Sequence, residues 1–141
     1  MEIKLIDSDE QKLEVLEWFK NIEWQGMSKE LFPPNSYIIY EKDIPVACSY
    51  FYISIGAPFA LMGVTISNQN LTIDKQPYVK ALLNRLLKDM KEAGCVLCMH
   101  HTDIHSKKFV DRYMIPMGFR YNEGFTGAMP LNTNYNEDFM V

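Results

Sequence analysis

Residues 77–99 read Pro-Tyr-Val-Lys-Ala-Leu-Leu-Asn-Arg-Leu-Leu-Lys-Asp-Met-Lys-Glu-Ala-Gly-Cys-Val-Leu-Cys-Met, and this stretch decides the fold class. Its first apolar residues recur with helical spacing, at Val79, Leu82, Leu83, Leu86, Leu87 and Met90. Pro77 suits the first turn of that helix, and Gly94 suits its end. Residues 95–99 are then almost continuously apolar, which is typical of a parallel strand buried on both faces. We therefore predict a helix that leads into a parallel strand, with a core that includes Leu82, Leu86, Val96 and Leu97.

A capping box predicts where the first helix begins. Ser8 is followed three residues later by Gln11, so the two side chains can each bond the other's backbone N–H. Before this point, Ile3 and Leu5 alternate with polar residues, which predicts a short strand. After it, four apolar residues are expected to form the core face of the helix: Leu13, Leu16, Phe19 and Ile22.

Three β-rich segments separate the two helices. Residues 36–41, 45–55 and 59–67 are rich in β-branched and aromatic side chains, and Lys42 and Asp43 are expected to form a turn. Consecutive strands joined by short turns predict an antiparallel meander. Residues 61–66 are expected to pair in parallel with residues 95–99.

The rest of the chain predicts one more helix and one or two strands. The helix runs from Ser106 to about Tyr113 and is ended by Pro116 and Gly118, and the strands lie between residues 119 and 131. The resulting order is β-α-β-β-β-α-β-α-β(-β). It predicts an α/β fold with a mixed sheet of about six or seven strands flanked by helices. We expect one domain over residues 1–131 and a polar C-terminal tail over residues 132–141.

Composition excludes several classes of protein. Hydrophobic residues make up 48% of the 141 residues, which is enough to bury a core. The formal net charge of -4 disfavours a protein that binds nucleic acid through a basic surface. No apolar run reaches the ~20 residues needed to cross a bilayer, and the first residues are charged where a signal peptide would be apolar. These features predict a cytoplasmic protein without a membrane partner.

The three cysteines are expected to be structural. Cys95 and Cys98 form a Cys-x-x-Cys, but they lie in an apolar segment that predicts a strand, where residues three apart point to opposite faces. The alternative is redox or metal chemistry, but the sequence has no second Cys-x-x-Cys to complete a four-sulfur zinc site. Cys48 stands alone.

Two segments resemble the GCN5-related N-acetyltransferase family, in which acetyl-coenzyme A (acetyl-CoA) donates an acetyl group to an amine. Residues 106–119, Ser-Lys-Lys-Phe-Val-Asp-Arg-Tyr-Met-Ile-Pro-Met-Gly-Phe, are similar to the family's closing segment, a tyrosine-bearing helix followed by Gly-Phe. Residues 61–66, Leu-Met-Gly-Val-Thr-Ile, resemble its fourth strand. The resemblance covers residues 1–131. It implies the family's fold, acetyl-CoA as co-substrate, and a small-molecule or peptide amine as acceptor.

The resemblance also implies which residues hold the coenzyme. In the family the pantetheine arm bonds to the backbone of the fourth strand, which here comprises Met62, Gly63, Val64, Thr65 and Ile66. The helix near Pro77 resembles the one whose N-terminus holds the pyrophosphate. The other implied contacts are therefore Lys75, Gln76, Tyr78 and Lys80.

The pyrophosphate loop departs from the family's signature, Gln/Arg-x-x-Gly-x-Gly/Ala. The matching residues 74–79 read Asp-Lys-Gln-Pro-Tyr-Val. Pro77 has no N–H, Val79 adds a side chain where glycine would allow close approach, and Asp74 places a negative charge near the anion. The sequence therefore predicts a divergent member with a degenerate loop.

Tyr113 matches the family's tyrosine that protonates the departing thiolate. A phenol, with an ordinary pKa of ~10, can act as that acid if it lies near the sulfur. Four residues separate Tyr113 from Gly118, where the family has three, and a tyrosine that packs in the core is an equally open interpretation. The base is unassigned, with Glu41, Asp103 and the histidines as candidates. The segments 23–35 and after Gly124 are expected to border the acceptor.

Residues 100–105, His-His-Thr-Asp-Ile-His, are the most polar group in the chain. His101, Asp103 and His105 would share one face of a continued strand and could offer N,N,O ligands to zinc or iron. The alternatives are a polar or catalytic role, or helix capping and solvation, and the expectation is that no metal is bound.

Two other groups have a functional and a structural interpretation. The cations Lys107, Lys108 and Arg112 could contact coenzyme phosphates or form a solvated helix face. An aromatic set is expected in the core and in contacts of a homodimer rather than in a substrate cage: Trp18, Trp24, Tyr50, Phe51 and Tyr52.

Two functions follow from these observations. The first is an N-acetyltransferase that acts on an unidentified amine, with Tyr113 as proton donor. The alternative is a binding or regulatory domain of the same fold that does not bind acetyl-CoA in the usual way. The departures at Asp74, Pro77 and Val79 motivate the alternative.

Overall fold

The structure, a computed structural model, describes residues 1–102, 106–122 and 126–131. The predicted tail at residues 132–141 lies outside this range. Contacts divide the chain into two units, one formed by residues 1–51 and 64–86 and the other by residues 52–63 and those from 87 onward. The elements, in chain order, are β1 (Glu2–Leu5), α1 (Asp9–Asn21), a 3₁₀ turn (Lys29–Leu31), β2 (Ser36–Glu41), β3 (Ile44–Ile53), β4 (Phe59–Met62), β5 (Ile66–Ser67), α2 (Gln76–Glu92), β6 (Leu97–His101), α3 (Lys107–Phe109), a π-helical turn (Val110–Met114), α4 (Ile115–Met117), β7 (Arg120–Tyr121) and β8 (Thr126–Pro130).

In the first unit, β1, β2 and β3 form the predicted antiparallel meander, and β5 pairs with β3. The turn between β2 and β3 is the one predicted at Lys42 and Asp43. Both residues have positive φ, +48° and +68°, as a type I′ hairpin turn requires. The predicted third strand, residues 59–67, is instead divided into β4 and β5 by a break after Met62.

Helix α1 begins at the predicted capping box. The Ser8 side chain accepts a hydrogen bond from the Gln11 amide, and the Gln11 side chain accepts one from the Ser8 amide. The predicted core face is right at Phe19, which is buried, but wrong at Leu13 and Ile22, which are exposed; Leu16 is half-buried, and Val15 and Trp18 are buried instead. A series of apolar residues three apart drifts by ~60° per step around an α-helix, so its two ends lie on opposite sides.

The second unit contains a four-stranded sheet in the order β4-β6-β8-β7. Strand β4 pairs with β6 in parallel, from Phe59 with Leu97 to Met62 with His100, and the other pairs are antiparallel. The predicted parallel pairing is thus confirmed. The mixed α+β architecture, with eight strands in the described residues, agrees with the predicted fold class.

The prediction that β6 is buried on both faces is wrong. Cys98 and His100 are buried, whereas Leu97 and Met99 on the other face are half-buried, as is Val96 just before the strand. The predicted burial of Leu82 and Leu86 in α2 is confirmed, since both are fully buried. No helix in the described parts of the chain is long and apolar enough to cross a membrane.

Candidate functional site

The residues implied for the pantetheine arm lie at the break between two strands. Met62 is the buried last residue of β4, and Ile66 is the first residue of β5. Residues 63–65 lie outside both strands. Backbone amides outside a strand ladder need other partners, which is the chemistry that a pantetheine arm offers.

Within the first unit, Thr65 is held by a buried serine. The Thr65 hydroxyl lies 2.9 Å from that of Ser49, which is fully buried on β3. Since a buried hydroxyl needs a partner, this pair fixes the Thr65 side chain against β3. Sequence reasoning missed Ser49, whose only signal is a small polar residue inside an apolar strand.

The N-terminus of α2 offers few donors to an anion. The Asp74 carboxylate already accepts a hydrogen bond from the Gln76 amide, with Oδ1 and N 3.1 Å apart. Pro77 has no N–H, and the Val79 amide bonds the carbonyl of Lys75 at 3.0 Å. Val79 is also buried, so its side chain packs in the core instead of facing the loop. The degenerate loop thus caps its own helix at the position where the family would bind pyrophosphate.

The other residues implied at this helix differ in exposure, and one of them is hydrogen-bonded within the protein. Lys80 and Gln76 are exposed, and Lys75 is half-buried. The Tyr78 hydroxyl donates a hydrogen bond to Glu41 Oε2 at 2.8 Å. This hydrogen bond lowers the pKa of Glu41 and raises the pKa of Tyr78. Glu41 is therefore a weaker candidate for the base than the sequence suggests.

Tyr113 lies in the π-helical turn between α3 and α4. The Ile115 amide bonds the Val110 carbonyl, five residues back, so the turn is wider than an α-helical one. A π-turn is the usual way for a helix to absorb one inserted residue, which accounts for the longer spacing from Tyr113 to Gly118. Gly118 ends the helix with φ +110°. The Tyr113 ring is half-buried and packs against Phe109, with ring centroids 5.1 Å apart.

His100, on β6, is a buried ionisable side chain at the start of the polar segment. Only 4% of its surface is exposed, and Nδ1 lies 2.6 Å from the hydroxyl of Tyr121 on β7. The rings of Phe109, Phe119 and Tyr121 surround it, with centroids 5.9–6.2 Å away. Burial lowers the pKa of His100 to about 4 and raises the pKa of Tyr121. The sequence analysis named His100 but not its partner Tyr121. The signal for the burial of His100 was its position two residues after Cys98, on the same face of the strand.

The three residues considered as possible metal ligands, His101, Asp103 and His105, lie only partly within the described residues. His101 is exposed, with Nδ1 3.1 Å from the Thr126 hydroxyl, and Asp103 and His105 lie outside the described range. Among the residues that the structure describes, no three metal-ligating side chains are grouped. All three cysteines are free and buried, and burial raises the pKa of Cys98 to about 12. A thiol in that state is a poor nucleophile and a poor ligand.

The three basic residues are exposed, and most of the aromatic residues are buried or half-buried. Lys107 forms an exposed ion pair with Asp111, with Nζ and Oδ2 2.7 Å apart, and Lys108 and Arg112 are exposed. Of the aromatic set, Trp18, Tyr50 and Phe51 are buried, Tyr52 is half-buried and Trp24 is 42% exposed.

No protein-family model matches the sequence, and no curated protein is significantly similar to it. Solved structures do match over almost the whole chain. The ribosomal-protein-S18-alanine N-acetyltransferase from Escherichia coli has a TM-score of 0.75 at 11% identity, covering 94% of each chain. A chain of the NatC complex bound to Gag peptide and CoA has a TM-score of 0.73 at 17% identity, covering 94% of this chain and all of that one.

A third match is Tetrahymena GCN5, with a TM-score of 0.66 at 15% identity, covering 94% of this chain and 97% of that one. Identities this low establish similarity of fold. The parallel β4–β6 pair and the tyrosine-bearing helix are features expected from the sequence resemblance, whereas the strand break after Met62 was not predicted. The chain therefore has the fold of the GCN5-related N-acetyltransferases.

Proposed function

We propose that this protein is an N-acetyltransferase that moves an acetyl group from acetyl-CoA to an amine. The observation that carries the proposal is fold similarity over 94% of the chain to an N-acetyltransferase and to a complex that holds CoA. This similarity favours the transferase over a domain that has lost the coenzyme, because the fold around the degenerate loop is retained.

The proposed coenzyme site uses backbone and side chains from two segments. The amides and carbonyls from Met62 through Gly63, Val64 and Thr65 to Ile66 hold the pantetheine arm. The diphosphate is held near the start of α2 by Lys75 and Lys80, with Gln76 and Tyr78 beside them. Because Asp74 already occupies the Gln76 amide, lysine charge takes a larger share of this binding than in a glycine-rich loop.

The reaction needs one proton removed and one supplied. The neutral amine nitrogen attacks the thioester carbonyl carbon, a C–N bond forms, and the C–S bond breaks to release the coenzyme thiolate. Tyr113 donates its phenolic proton to the thiolate, while water accepts the proton lost by the amine and returns one to Tyr113 in net exchange. The packing of Tyr113 on Phe109 orients the phenol.

The acceptor is a small molecule or a peptide that presents an amine. The loop over residues 23–35 borders it, together with the segment after Gly124, part of which lies outside the described residues. A cytoplasmic location and a homodimer belong to the same proposal.

Calorimetric titration of the full chain with acetyl-CoA and with CoA tests the coenzyme, and release of free thiol in the presence of amine libraries tests the transfer. We expect micromolar binding of acetyl-CoA. No heat at millimolar concentrations of either compound would contradict the proposal.

Tyr113→Phe tests the assigned acid. It should lower turnover by ~10²-fold or more while leaving acetyl-CoA affinity nearly unchanged, since only proton donation is lost. Tyr40→Phe, which removes a hydroxyl from β2, serves as the matched control. Full turnover by Tyr113→Phe would remove Tyr113 from the mechanism.

A further inference from the structure

We propose that His100 donates a hydrogen bond to a carbonyl oxygen of the acyl-pantetheine arm, and that Tyr121 is the residue that positions it. This inference rests on the proposed function. It adds a ligand contact that neither the sequence resemblance nor the fold assigns.

The contact with Tyr121 decides which ring nitrogen of His100 carries the proton. Nδ1 and the Tyr121 hydroxyl are 2.6 Å apart, so one of them donates to the other. If the tyrosine donates, its single proton is used and Nδ1 is the acceptor, which leaves the imidazole proton on Nε2. The tyrosine is the favoured donor, because a phenol donates more strongly than an imidazole N–H and a neutral imidazole nitrogen accepts more strongly than a phenolic oxygen. The contact with Tyr121 therefore favours the His100 tautomer with a donor at Nε2.

The aromatic surroundings hold the imidazole in one orientation. Phe109 on α3, Phe119 between α4 and β7, and Tyr121 on β7 pack around it, and the Tyr121 ring in turn lies directly over Gly127 on β8. His100 cannot rotate without displacing these rings. A donor held in this way binds a ligand without first losing conformational freedom.

Nε2 is the part of this buried side chain that a ligand can reach. In the described parts of the chain, the bond to Tyr121 is the one hydrogen bond of the imidazole, so Nε2 has no protein partner there. Yet none of the described side-chain nitrogens is both sealed from solvent and unpaired. Nε2 must therefore face accessible space, although only 4% of the surface of His100 is exposed. A nearly buried donor without a partner points to a ligand acceptor.

The position of His100 in the sheet indicates which acceptor this is. His100 pairs with Met62, the last residue of β4, and beyond this pair β4 ends. The donor thus lies where the parallel strands stop pairing, beside the first residue assigned to the pantetheine arm. The arm carries carbonyl oxygens from its two amides and its thioester, all of which accept from an N–H.

Two substitutions at His100 test the roles of its two ring nitrogens separately. His100→Asn retains a polar group near Nδ1, so it can still bond Tyr121, but it loses the distal donor. His100→Gln places an amide N–H near the position of Nε2. We expect His100→Asn to weaken acetyl-CoA binding about tenfold and His100→Gln to stay within about threefold of the wild type. Equal affinities for all three proteins, or equal losses in both variants at unchanged melting temperature, would overturn the proposal.

Nitrogen-15 NMR of the histidine side chains provides a test that does not depend on turnover. We expect the His100 signals of the free protein to show a protonated Nε2 and an unprotonated Nδ1, and the Nε2–H signal to shift when acetyl-CoA is added. In Tyr121→Phe the tautomer should become mixed. A protonated Nδ1 in the wild type would overturn the proposal whatever the coenzyme does.

The outcome also separates this inference from the proposed function. If the wild type binds acetyl-CoA and His100→Asn binds it equally well, the role of His100 is wrong and the transferase proposal stands. If the wild type binds no acetyl-CoA, the proposed function fails, and the role of His100 fails with it.

Discussion

Replacing Gly127 by alanine should disrupt the environment of His100 without touching His100 itself. Gly127 and Tyr121 are cross-strand partners on β8 and β7, and the Tyr121 ring covers the glycine. A methyl group at Gly127 would overlap the ring, 2.7 Å from Cδ1 and closer still to Cε1 and Cζ. Carbon atoms prefer ~3.5–4.0 Å, so the ring must retreat by about 1 Å.

This displacement breaks the hydrogen bond between Tyr121 and His100. The bond is 2.6 Å long, and a shift of about 1 Å takes it beyond the usual limit of ~3.2 Å. Losing the bond and leaving a buried nitrogen unpaired costs about 2–4 kcal/mol. Alanine is preferred over glycine in a strand by about 0.5–1 kcal/mol, which offsets part of this. The expected net loss is about 1.5–3 kcal/mol, or roughly 5–10 °C in Tm.

The assay is a double-mutant cycle measured by urea unfolding at pH 7. In a Tyr121→Ala background the overlap is gone, so Gly127→Ala should be neutral or stabilise the protein by up to about 1 kcal/mol. The sign of its effect therefore reverses between the two backgrounds. An equal destabilisation in both would refute the packing argument, since the loss would then come from the backbone at position 127 and not from the ring.

Three further predictions concern the caps and the buried histidine. Ser8→Ala should lower the free energy of unfolding by about 1 kcal/mol through loss of the α1 cap, whereas the exposed Thr72→Ala should change it little; equal effects would argue against the capping box. The pKa of His100 is about 4 in the folded protein against an ordinary 6.5, so the fold has its full stability above about pH 6.5 and loses about 3 kcal/mol of unfolding free energy as the pH falls toward 4. His100→Asn should lack this part of the pH dependence, and identical plots of unfolding free energy against pH for the two proteins would contradict the prediction. Asp74→Ala should raise affinity for CoA severalfold, because it frees the amide at the start of α2 and removes a negative charge there, and an unchanged Kd would show that the diphosphate binds elsewhere.

Local features were readable from the sequence because their causes lie within a few residues. The Ser8 capping box, the turn at Lys42 and Asp43, and the helix stop at Gly118 each depend on one or two side chains and their φ preferences. The order of helices and strands followed from hydrophobic periodicity in the same way. Parallel pairing of β4 with β6 also followed, since a helix joins the two segments.

The tertiary structure alone decided which surfaces these elements bury. The apolar face predicted for α1 was wrong at Leu13 and Ile22, because a series of residues three apart drifts around the helix and does not settle which side is buried. Val96 and Leu97 were expected in the core, but only one face of β6 is fully covered. The break after Met62 likewise depends on strand partners that the segment itself does not encode.

The candidate site divides along the same line. Tyr113 and the degenerate loop could be named from sequence, because a motif and its spacing carried them. The hydrogen bond between His100 and Tyr121 could not, since it joins side chains 21 residues apart whose meeting depends on the register of β6, β8 and β7. The sequence by itself determined the elements and the kinds of chemistry available to them, because both are local properties. Only the tertiary structure decided that His100 is buried with one nitrogen bonded and the other accessible, because burial and pairing arise from contacts between distant parts of the chain.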